Sequence, residues 1–458
     1  MSQPPPEPRG LPRFLPASLR NRIAPLLAAP GFSNTLWLFG DRLLRMGVGL
    51  VVGVWVARYL GPEGYGLLSF AGSYVMLFSA LALFGLESLV VRELVTRPDQ
   101  REAILGTTCL IRCAAGLAAY LLALPLLLLI RPGDSAALLL TALLGSSLLF
   151  QSLEVIDLWF QSKVRSRFSV CARSVAFLLS SGAKLALVLS KASLTAIAVA
   201  TAAEALLTGL GLIVAYRMAG GSLRAWRWDR GQFSRLVTGA VPMLLSGVVL
   251  MIYLRVDQVM LGALADAGQV GQYAAAVRIA ELWYFVPAAI VSSVFPDLVR
   301  VREQDPVLFQ DKLQRLYNLL AFLGYAVALP VTLLAPWLVR LLFGPSYQPA
   351  APLLAVLIWA GLFANITVVR NAHFIALEWG RSLLWATTAG AAANVLLNLL
   401  LIPRYGAMGA ALATCLSYWI AAHGACYAVP ALRPAAAMIL RALLLPRWWR
   451  NHPVHGDS

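Results

Sequence analysis

The stretch ARYLGPEGYGLLSFA (Ala57–Ala71) decides the fold, because it joins two long apolar segments through a turn of a few residues. The segment before it begins near Thr35, and the segment after it continues to Leu86. Each segment contains roughly the 20 apolar residues that a helix needs to cross a bilayer. Gly and Pro in the turn are typical of a break between two helices. The stretch therefore predicts two membrane helices joined on the outer side.

Apolar segments of this length occur about twelve times in the chain. The 458 residues are 60% hydrophobic and only 13% charged, whereas a soluble domain carries about 25% charged residues. A barrel of membrane strands would need shorter segments that alternate with period two. We therefore expect an all-α polytopic membrane protein with about twelve transmembrane helices. The predicted spans are Thr35–Ala57, Gly66–Leu86, Leu105–Ile130, Ala136–Phe160, Phe168–Leu189, Leu194–Met218, Leu236–Leu261, Val270–Val294, Leu316–Phe343, Ala351–Ile375, Ser382–Ile402 and Ala407–Val429.

Lys and Arg residues concentrate in alternate loops. With a cytoplasmic amino terminus, the inner side takes about 26 of them and the outer side about five. Arg370 and Arg381 count among the inner loop residues. This asymmetry predicts that both termini are cytoplasmic, and it accounts for the net charge of +16 without a nucleic-acid partner. The loop segment RAWRWDR (Arg224–Arg230) is expected to lie at the inner interface, with Trp at headgroup level and Arg on anionic lipids.

An internal repeat divides the predicted spans into two sets of six. RYLG (Arg58–Gly61) with GYGLLSFA (Gly64–Ala71) corresponds to VMLG (Val259–Gly262) with QVGQYAAA (Gln269–Ala276). Both copies begin on the inner side, so the halves are parallel repeats related by an axis along the membrane normal. The expected organisation is a cytoplasmic Pro-rich basic tail over 1–32, a six-helix lobe over 33–218, a cytoplasmic loop over 219–235, a six-helix lobe over 236–430 and a cytoplasmic basic tail over 431–458.

Five candidate arginines lie within long apolar stretches, namely Arg42, Arg45, Arg112, Arg255 and Arg278. A charge at bilayer depth costs roughly 2.5–3.5 kcal/mol on insertion scales, so it usually faces a bundle interior or a wet cavity. Five charges of one sign indicate a cavity for an anion, and the planar donor fork of arginine matches phosphate. Arg42 and Arg112 have an alternative, because they lie near the inner ends of their spans and could snorkel to the surface.

Acidic residues accompany these arginines in the predicted spans. Asp41 and Arg45 form an i,i+4 pair, and Arg278 and Glu281 share a helix face. Asp257 lies two residues after Arg255, so the two pairs could also cross-pair at a helix seam. Glu204 stands alone and needs either a partner or a proton. We expect these acids to serve charge pairing or coupling to a proton or sodium gradient, and we expect no other cofactor.

The sequence contains no pattern that is typical of catalysis. It has no nucleophile–base constellation, no metal motif and no phosphate-binding loop, and its five cysteines form no CxxC pair. A membrane-embedded glycosyltransferase or ligase would carry catalytic groups on large outer loops, and the outer loops predicted here are short. We therefore expect a transporter and not an enzyme.

ARYLGPEGYGLLSFA (Ala57–Ala71) resembles the signature of the first two spans in bacterial polysaccharide and O-antigen flippases. RVDQVMLG followed by VGQYAAAVRIAELWYFVPAAIVSSVFP (Arg255–Pro296) resembles the matching block of their second half. These flippases belong to the multidrug/oligosaccharidyl-lipid/polysaccharide exporter superfamily, and the resemblance extends from about Asn34 to Val429. It implies two six-helix lobes around a central cavity that alternates its opening. It also implies a cation-rich lumen, for which Arg45, Arg255 and Arg278 are the best candidates by position.

The resemblance implies movement of undecaprenyl-pyrophosphate-linked oligosaccharide from the inner to the outer leaflet of a bacterial plasma membrane. Expected partners are this lipid-linked glycan, anionic membrane lipids, and export components such as a polysaccharide polymerase. Two alternatives remain open. An ion-coupled multidrug or cation antiporter of the same fold would need an acidic cavity, and a lipid II flippase usually has two further spans.

Overall fold

A computed structural model describes residues 30–444 of the protein, with side chains from Trp37 onward. The first 29 residues of the expected amino-terminal tail, and the expected carboxy-terminal tail from residue 445, lie outside this range. Helices occupy nearly all of the described range, and no strand occurs within it. This agrees with the expected all-α membrane protein.

The helices follow one another with short connections. In the first half they are α1 (Pro30–Leu83), α2 (Glu87–Thr96), α3 (Arg101–Ile130), α4 (Ser135–Gly145), α5 (Ser147–Phe150), α6 (Val155–Ser162), α7 (Arg167–Leu189) and α8 (Leu194–Met218). In the second half they are α9 (Arg230–Leu264), α10 (Ala267–Glu281), α11 (Phe285–Gln304), α12 (Pro306–Phe343), α13 (Ala350–Ala376), α14 (Gly380–Trp419), α15 (Ala425–Ala428) and α16 (Arg433–Leu444). A π-helical turn, Ile420–Gly424, joins α14 to α15.

Ten helical segments within residues 30–444 are long and apolar enough to cross a membrane, whereas the sequence predicted about twelve. The difference arises in two segments, Trp37–Thr96 with 60 residues and Gly380–Ala428 with 49 residues, each of which contains two predicted spans. At 1.5 Å per residue these segments would be about 90 Å and 74 Å long if straight. The hydrocarbon core of a bilayer is only about 30 Å thick.

Helix α1 folds back on itself at Gly61, whose φ of 67° and ψ of 175° are not helical. Arg278 shows the reversal, because its guanidinium donates both to the Gly49 carbonyl oxygen and to the Tyr65 hydroxyl. In a straight helix these two residues would lie about 24 Å apart. Glycine suits the turn because a positive φ carries no steric penalty for it.

Helix α14 turns in the same way at Gly406, which has a φ of 54° and a ψ of −132°. A Cβ atom placed on Gly409 would lie 2.3 Å from the Leu401 carbonyl oxygen. Residues eight apart in a straight helix are separated by about 12 Å. Both long segments therefore contain a sharp turn at a glycine.

The two halves pack backbone against backbone beside the turn of α1. A Cβ atom on Gly66 would lie 1.8 Å from the Ala267 carbonyl oxygen, and one on Gly271 would lie 1.9 Å from the Pro62 carbonyl oxygen. In the sequence repeat Gly66 corresponds to Gly271, and Pro62 corresponds to Ala267. The contact is therefore reciprocal, as at an interface between two equivalent surfaces. Both positions require glycine because no side-chain atom fits there.

Further contacts join the halves at the same end. The Tyr347 hydroxyl donates to the Ala57 carbonyl oxygen at 2.8 Å, and its ring packs edge-on against Tyr65 with centroids 6.4 Å apart. Arg58 donates to the carbonyl oxygens of Leu341 and Leu342, which end α12. Buried side chains from both halves form one continuous core at this interface. The end of the bundle at Gly61 is therefore closed by close packing.

The loop between the halves packs on the first half. The Arg227 amide donates to the Glu102 carbonyl oxygen at 3.2 Å, and the Asp229 amide donates to Thr107 Oγ1 at 3.0 Å. Trp226 is half-buried, and its indole donates to the Tyr216 hydroxyl at 3.2 Å. Trp228 is exposed.

The expected carboxy-terminal tail begins with a packed helix, α16. The Tyr325 hydroxyl donates to the Leu443 carbonyl oxygen at 2.9 Å, and the Gln314 amide donates to the Met438 carbonyl oxygen at 3.1 Å. Ile439 and Ala442 are fully buried. Residues up to 444 are therefore part of the folded bundle.

Candidate functional site

A cavity of about 350 Å³ lies where α1, α9 and α10 meet. Three of the five candidate arginines line it, namely Arg45, Arg255 and Arg278. Glu281 is the only acidic residue among the described residues that line it. The cavity wall therefore carries three guanidinium groups and one carboxylate. The sequence reasoning selected the same three arginines, and their role in binding a substrate stays a prediction.

Arg278 is held by neutral groups. Its Nη2 donates to the Gly49 carbonyl oxygen, and its Nη1 donates to the Tyr65 hydroxyl at 3.4 Å. The guanidinium occupies space that only glycine leaves free, because a Cβ on Gly53 would lie 2.1 Å from Arg278 Cζ. The expected i,i+3 ion pair with Glu281 does not form. Arg278 thus retains its full charge beside the cavity.

Arg255 pairs with Glu281 instead. Its two terminal nitrogens lie 3.3 and 3.5 Å from the carboxylate oxygens, across the seam between α9 and α10. Arg255 and Glu281 therefore form one of the cross-pairs that the sequence allowed between the two helices. Arg255 Nε is buried and lacks a hydrogen-bond partner. An unsatisfied buried donor is costly, typically by about 1–3 kcal/mol, so this nitrogen favours an additional acceptor.

Asp257 does not face the arginines. It is buried, and its carboxylate accepts hydrogen bonds from the Tyr273 hydroxyl, from Thr414 Oγ1 at 3.2 Å and from the Gln258 amide at 2.8 Å. No Lys or Arg nitrogen within residues 37–444 lies in ion-pair distance of it, unlike Asp41, Glu204 and Glu281. Neutral donors from α9, α10 and α14 therefore stabilise this carboxylate.

Arg45 lies in an ion-pair network in the first half. Its Nε lies 3.1 Å from both Asp41 carboxylate oxygens, which confirms the expected i,i+4 pair. Its Nη1 lies 3.6 Å from Glu204, and Lys184 contacts the same carboxylate at 3.4 Å. Glu204 is therefore paired, although the sequence left it without a partner. The guanidinium also lies over the Phe177 ring, 5.0 Å from its centroid.

The other two candidate arginines do not line this cavity. Arg42 is exposed. Arg112 is 1% exposed, so the snorkelling alternative is wrong for it, and its Nε and Nη2 lack hydrogen-bond partners. The nearest acids that interact with it electrostatically are Glu154, Glu87 and Asp157. Arg112 is therefore a buried cation in the interior of the first half.

Arg370 is a buried cation that the sequence reasoning missed, because it was assigned to an inner loop. It lies within α13 and is fully buried. Its guanidinium donates to the Ala421 carbonyl oxygen of the π-helical turn and to Asn371 Oδ1 at 2.7 Å, and it lies 5.7 Å from the Phe374 centroid. The helix continues past Arg370 to Ala376.

The described residues offer no cluster of three or more His, Cys, Asp or Glu side chains that could hold a metal ion. The five cysteines are free thiols. The three guanidinium groups that line the cavity can recognise an anionic group. Such groups bind carboxylate or phosphate through two parallel hydrogen bonds.

Comparisons with known proteins identify the family and the fold. A family model described as "Polysaccharide biosynthesis protein" matches residues 32–302. The "Probable flippase AglR" of Haloferax volcanii is 27% identical over 191 residues, which are 39% of this chain and 38% of AglR. The chain thus matches less than half the length of AglR.

Solved structures share the fold. The lipid II flippase MurJ in an inward closed conformation superposes with a TM-score of 0.69 at 16% identity, over 90% of this chain and 91% of that chain. An inward-facing multidrug resistance MATE family transporter gives a TM-score of 0.67 at 15% identity, over 86% and 96% of the two chains. At such identities the likeness is one of fold.

The family model covers more than half of the chain, and the fold is that of the MATE and MurJ transporters. The chain is therefore a multi-pass membrane protein with the fold of those transporters. It belongs to the polysaccharide biosynthesis protein family.

Proposed function

We propose that this protein moves a polyprenyl-pyrophosphate-linked oligosaccharide from the inner to the outer leaflet of a bacterial plasma membrane for polysaccharide export. One observation carries the proposal: Arg45, Arg255 and Arg278 surround one cavity with a single acidic side chain, Glu281. An excess of guanidinium groups in a low-dielectric cavity attracts a pyrophosphate.

The contacts of the three arginines support this assignment. Arg278 is oriented by a carbonyl oxygen and a phenol, so no carboxylate neutralises it. Arg255 shares its charge with Glu281 but keeps one buried nitrogen unpaired. Both lie on the second half, while Arg45 lies on the first half. A pyrophosphate between them would therefore contact both halves.

The proposed mechanism is alternating access by two six-helix lobes, 33–218 and 236–430, connected by the loop 219–235. Twelve crossings are proposed, because the segments Trp37–Thr96 and Gly380–Ala428 each turn at a glycine and exceed one bilayer thickness. The reciprocal contact of Gly66 and Gly271 supports a two-fold relation between the lobes. Rocking about this contact would open and close the cavity, and the polyprenyl tail would remain in lipid between the lobes.

The remaining assignments follow from the charge distribution of the sequence. Both termini are proposed to be cytoplasmic, and the inner basic loops are proposed to contact anionic lipids. A polysaccharide polymerase and other export components are proposed partners. The rival function, a multidrug or cation antiporter, is disfavoured because cationic cavity walls repel its substrates. A lipid II flippase would carry a substrate of the same chemistry, so transport assays must separate these two.

The direct test is flipping of a fluorescent polyprenyl-pyrophosphate-linked oligosaccharide in proteoliposomes. Substituting Arg278→Gln or Arg255→Gln should slow flipping by about 10- to 100-fold, because each removes a charge-assisted hydrogen-bond donor worth about 1.5–3 kcal/mol. Arg42→Gln is the matched control, since Arg42 is exposed on the same helix as Arg45 and does not line the cavity. Undiminished flipping by both cavity variants would refute the proposed function.

A further inference from the structure

A second cavity, of about 570 Å³, adjoins the first inside the amino-terminal half. Arg45 lines both cavities, so they share a wall at this side chain. The second cavity is formed by α1, α7, α8 and the 3₁₀ turn Gln151–Glu154. Its volume lies in the range of about 300–1,000 Å³ that is usual for small-molecule sites. The substrate region proposed above therefore extends into the first half.

The second cavity has the opposite charge balance from the first. Three carboxylates line it, those of Asp41, Glu154 and Glu204, against two guanidinium groups, those of Arg45 and Arg173. Each of these carboxylates is already paired, at 3.1 Å for Asp41, 3.7 Å for Glu154 and 3.4 Å for Glu204. An excess of carboxylates over guanidinium groups disfavours a phosphate, whereas carboxylate oxygens can accept hydrogen bonds from neutral hydroxyls.

Neutral polar groups complete the wall. Thr201 and Thr208 lie seven residues apart, about two turns of α8, and both line the cavity. Gln151 Oε1 is buried and has no hydrogen-bond partner, which marks an acceptor that a ligand hydroxyl could satisfy. Gln151, Glu154 and Thr201 also line a third cavity of about 400 Å³, whose wall is otherwise mainly apolar.

We propose that this second cavity binds sugar residues of the lipid-linked oligosaccharide through their hydroxyl groups, while the pyrophosphate lies at Arg255 and Arg278. The inference rests on the proposed function and assigns the two ends of that substrate to different cavities. Hydroxyl-rich, uncharged rings suit a wall of paired carboxylates, an amide and threonine hydroxyls. The opposite charge balance of the two cavities orients the substrate, with its anionic end at the seam between the halves.

The test compares the affinities of the purified protein for two lipids, undecaprenyl pyrophosphate and undecaprenyl pyrophosphate that carries N-acetylglucosamine. We expect the wild-type protein to bind the sugar-bearing lipid more tightly. Thr201→Val with Thr208→Val should weaken binding of that lipid by about 3- to 30-fold, because two hydrogen bonds are lost. Binding of undecaprenyl pyrophosphate should be unchanged. Arg278→Gln, in contrast, should weaken binding of both lipids.

Thr387→Val is the matched control. Thr387 and Thr201 each donate to the carbonyl oxygen four residues earlier, at 2.9 and 2.8 Å, and both bonds are partly buried, but Thr387 lines neither cavity. Equal wild-type affinity for the two lipids would overturn the sugar site and leave the proposed function standing. If the double variant binds both lipids as tightly as Thr387→Val does, the sugar site is likewise overturned and the proposed function stands. Failure of the wild-type protein to bind either lipid would overturn both.

Discussion

Arg278 owes its position to two glycines on the facing helix. Gly49 supplies the carbonyl oxygen that accepts from its Nη2, and Gly53 leaves the space that the guanidinium fills. Residues 49 and 53 are four apart, so both lie on the helix face toward the cavity. A backbone acceptor in place of a carboxylate fixes the side chain without neutralising it, which suits a cation that must bind an anionic ligand.

Gly53→Ala should therefore disable the cavity without changing any charge. Its new Cβ would lie 2.1 Å from Arg278 Cζ, so the guanidinium must move away from the cavity. We expect flipping to fall about as far as in Arg278→Gln, measured in proteoliposomes. Gly49→Ala is the control, because its Cβ would meet only Phe177 at 3.7 Å, an ordinary contact.

The double variant Gly53→Ala with Arg278→Gln distinguishes displacement of the Arg278 guanidinium from misfolding of the protein. If the alanine acts through Arg278, the double variant should flip no more slowly than Arg278→Gln alone, since both changes affect one interaction. Strictly additive losses, or normal flipping by the single Gly53→Ala variant, would contradict this account of the residue.

At the scale of elements, α1 packs against α10 beside the sharp turn at Gly61, and this packing closes one end of the cavity. A Cβ atom on Gly66 or Gly271 would clash with a backbone carbonyl group, which cannot move aside as a flexible side chain could. Gly66→Ala should push the two helices apart, whereas Gly72→Ala on the same helix should not, because nothing lies within 4 Å of its Cβ. The expected result is an opened outer end in the first variant only.

Thiol labelling can measure this opening. Met46 lines the cavity, so Met46→Cys in a background without the five native cysteines reports access to it. An impermeant reagent added from outside should label Met46→Cys faster when Gly66→Ala is also present. Equal labelling rates with Gly66→Ala and Gly72→Ala would show that this glycine contact does not close the outer end.

Much of the arrangement of elements could be predicted from the sequence, because apolar length and the Leu-Gly repeat are local signals. The twelve apolar stretches are mostly helical, and Arg45, Arg255 and Arg278 were selected because each lies deep in a span. Partners across helices could not be predicted. The Glu204–Lys184 pair and the burial of Arg370 depend on which helices pack together, and no local pattern encodes this.

At the scale of the whole molecule, Asp257 is the best place to test coupling to an ion gradient. It is buried, and only neutral donors from three helices contact it. If a proton or sodium gradient drives flipping, Asp257→Asn should abolish the acceleration by the gradient and retain the basal rate. Asp266→Asn is the control, because Asp266 caps α10 and asparagine caps equally well.

Collapse of the proton and sodium gradients in wild-type proteoliposomes decides whether coupling exists at all. If flipping slows on collapse, the Asp257→Asn variant should be insensitive to the same treatment. Unchanged wild-type flipping after both gradients are removed would eliminate ion coupling, and Asp257 would then serve only to join its three helices.

The charge distribution of the whole molecule gives the substrate a direction. Guanidinium groups predominate where the two halves meet, and paired carboxylates predominate in the adjoining cavity of the first half. An anionic group therefore binds most favourably between the halves, where movement of one half against the other would alter its contacts. This location links recognition of the pyrophosphate to the proposed rocking of the lobes.

The most direct measurement compares binding of a polyprenyl-linked sugar that carries a pyrophosphate with the same lipid that carries a monophosphate. Wild-type protein should bind the pyrophosphate lipid about 10- to 100-fold more tightly, and Arg278→Gln should lose most of that preference while Arg42→Gln keeps it. Equal affinity of the wild-type protein for the two lipids, or a preference that survives in Arg278→Gln, would contradict the cationic cavity as the pyrophosphate site.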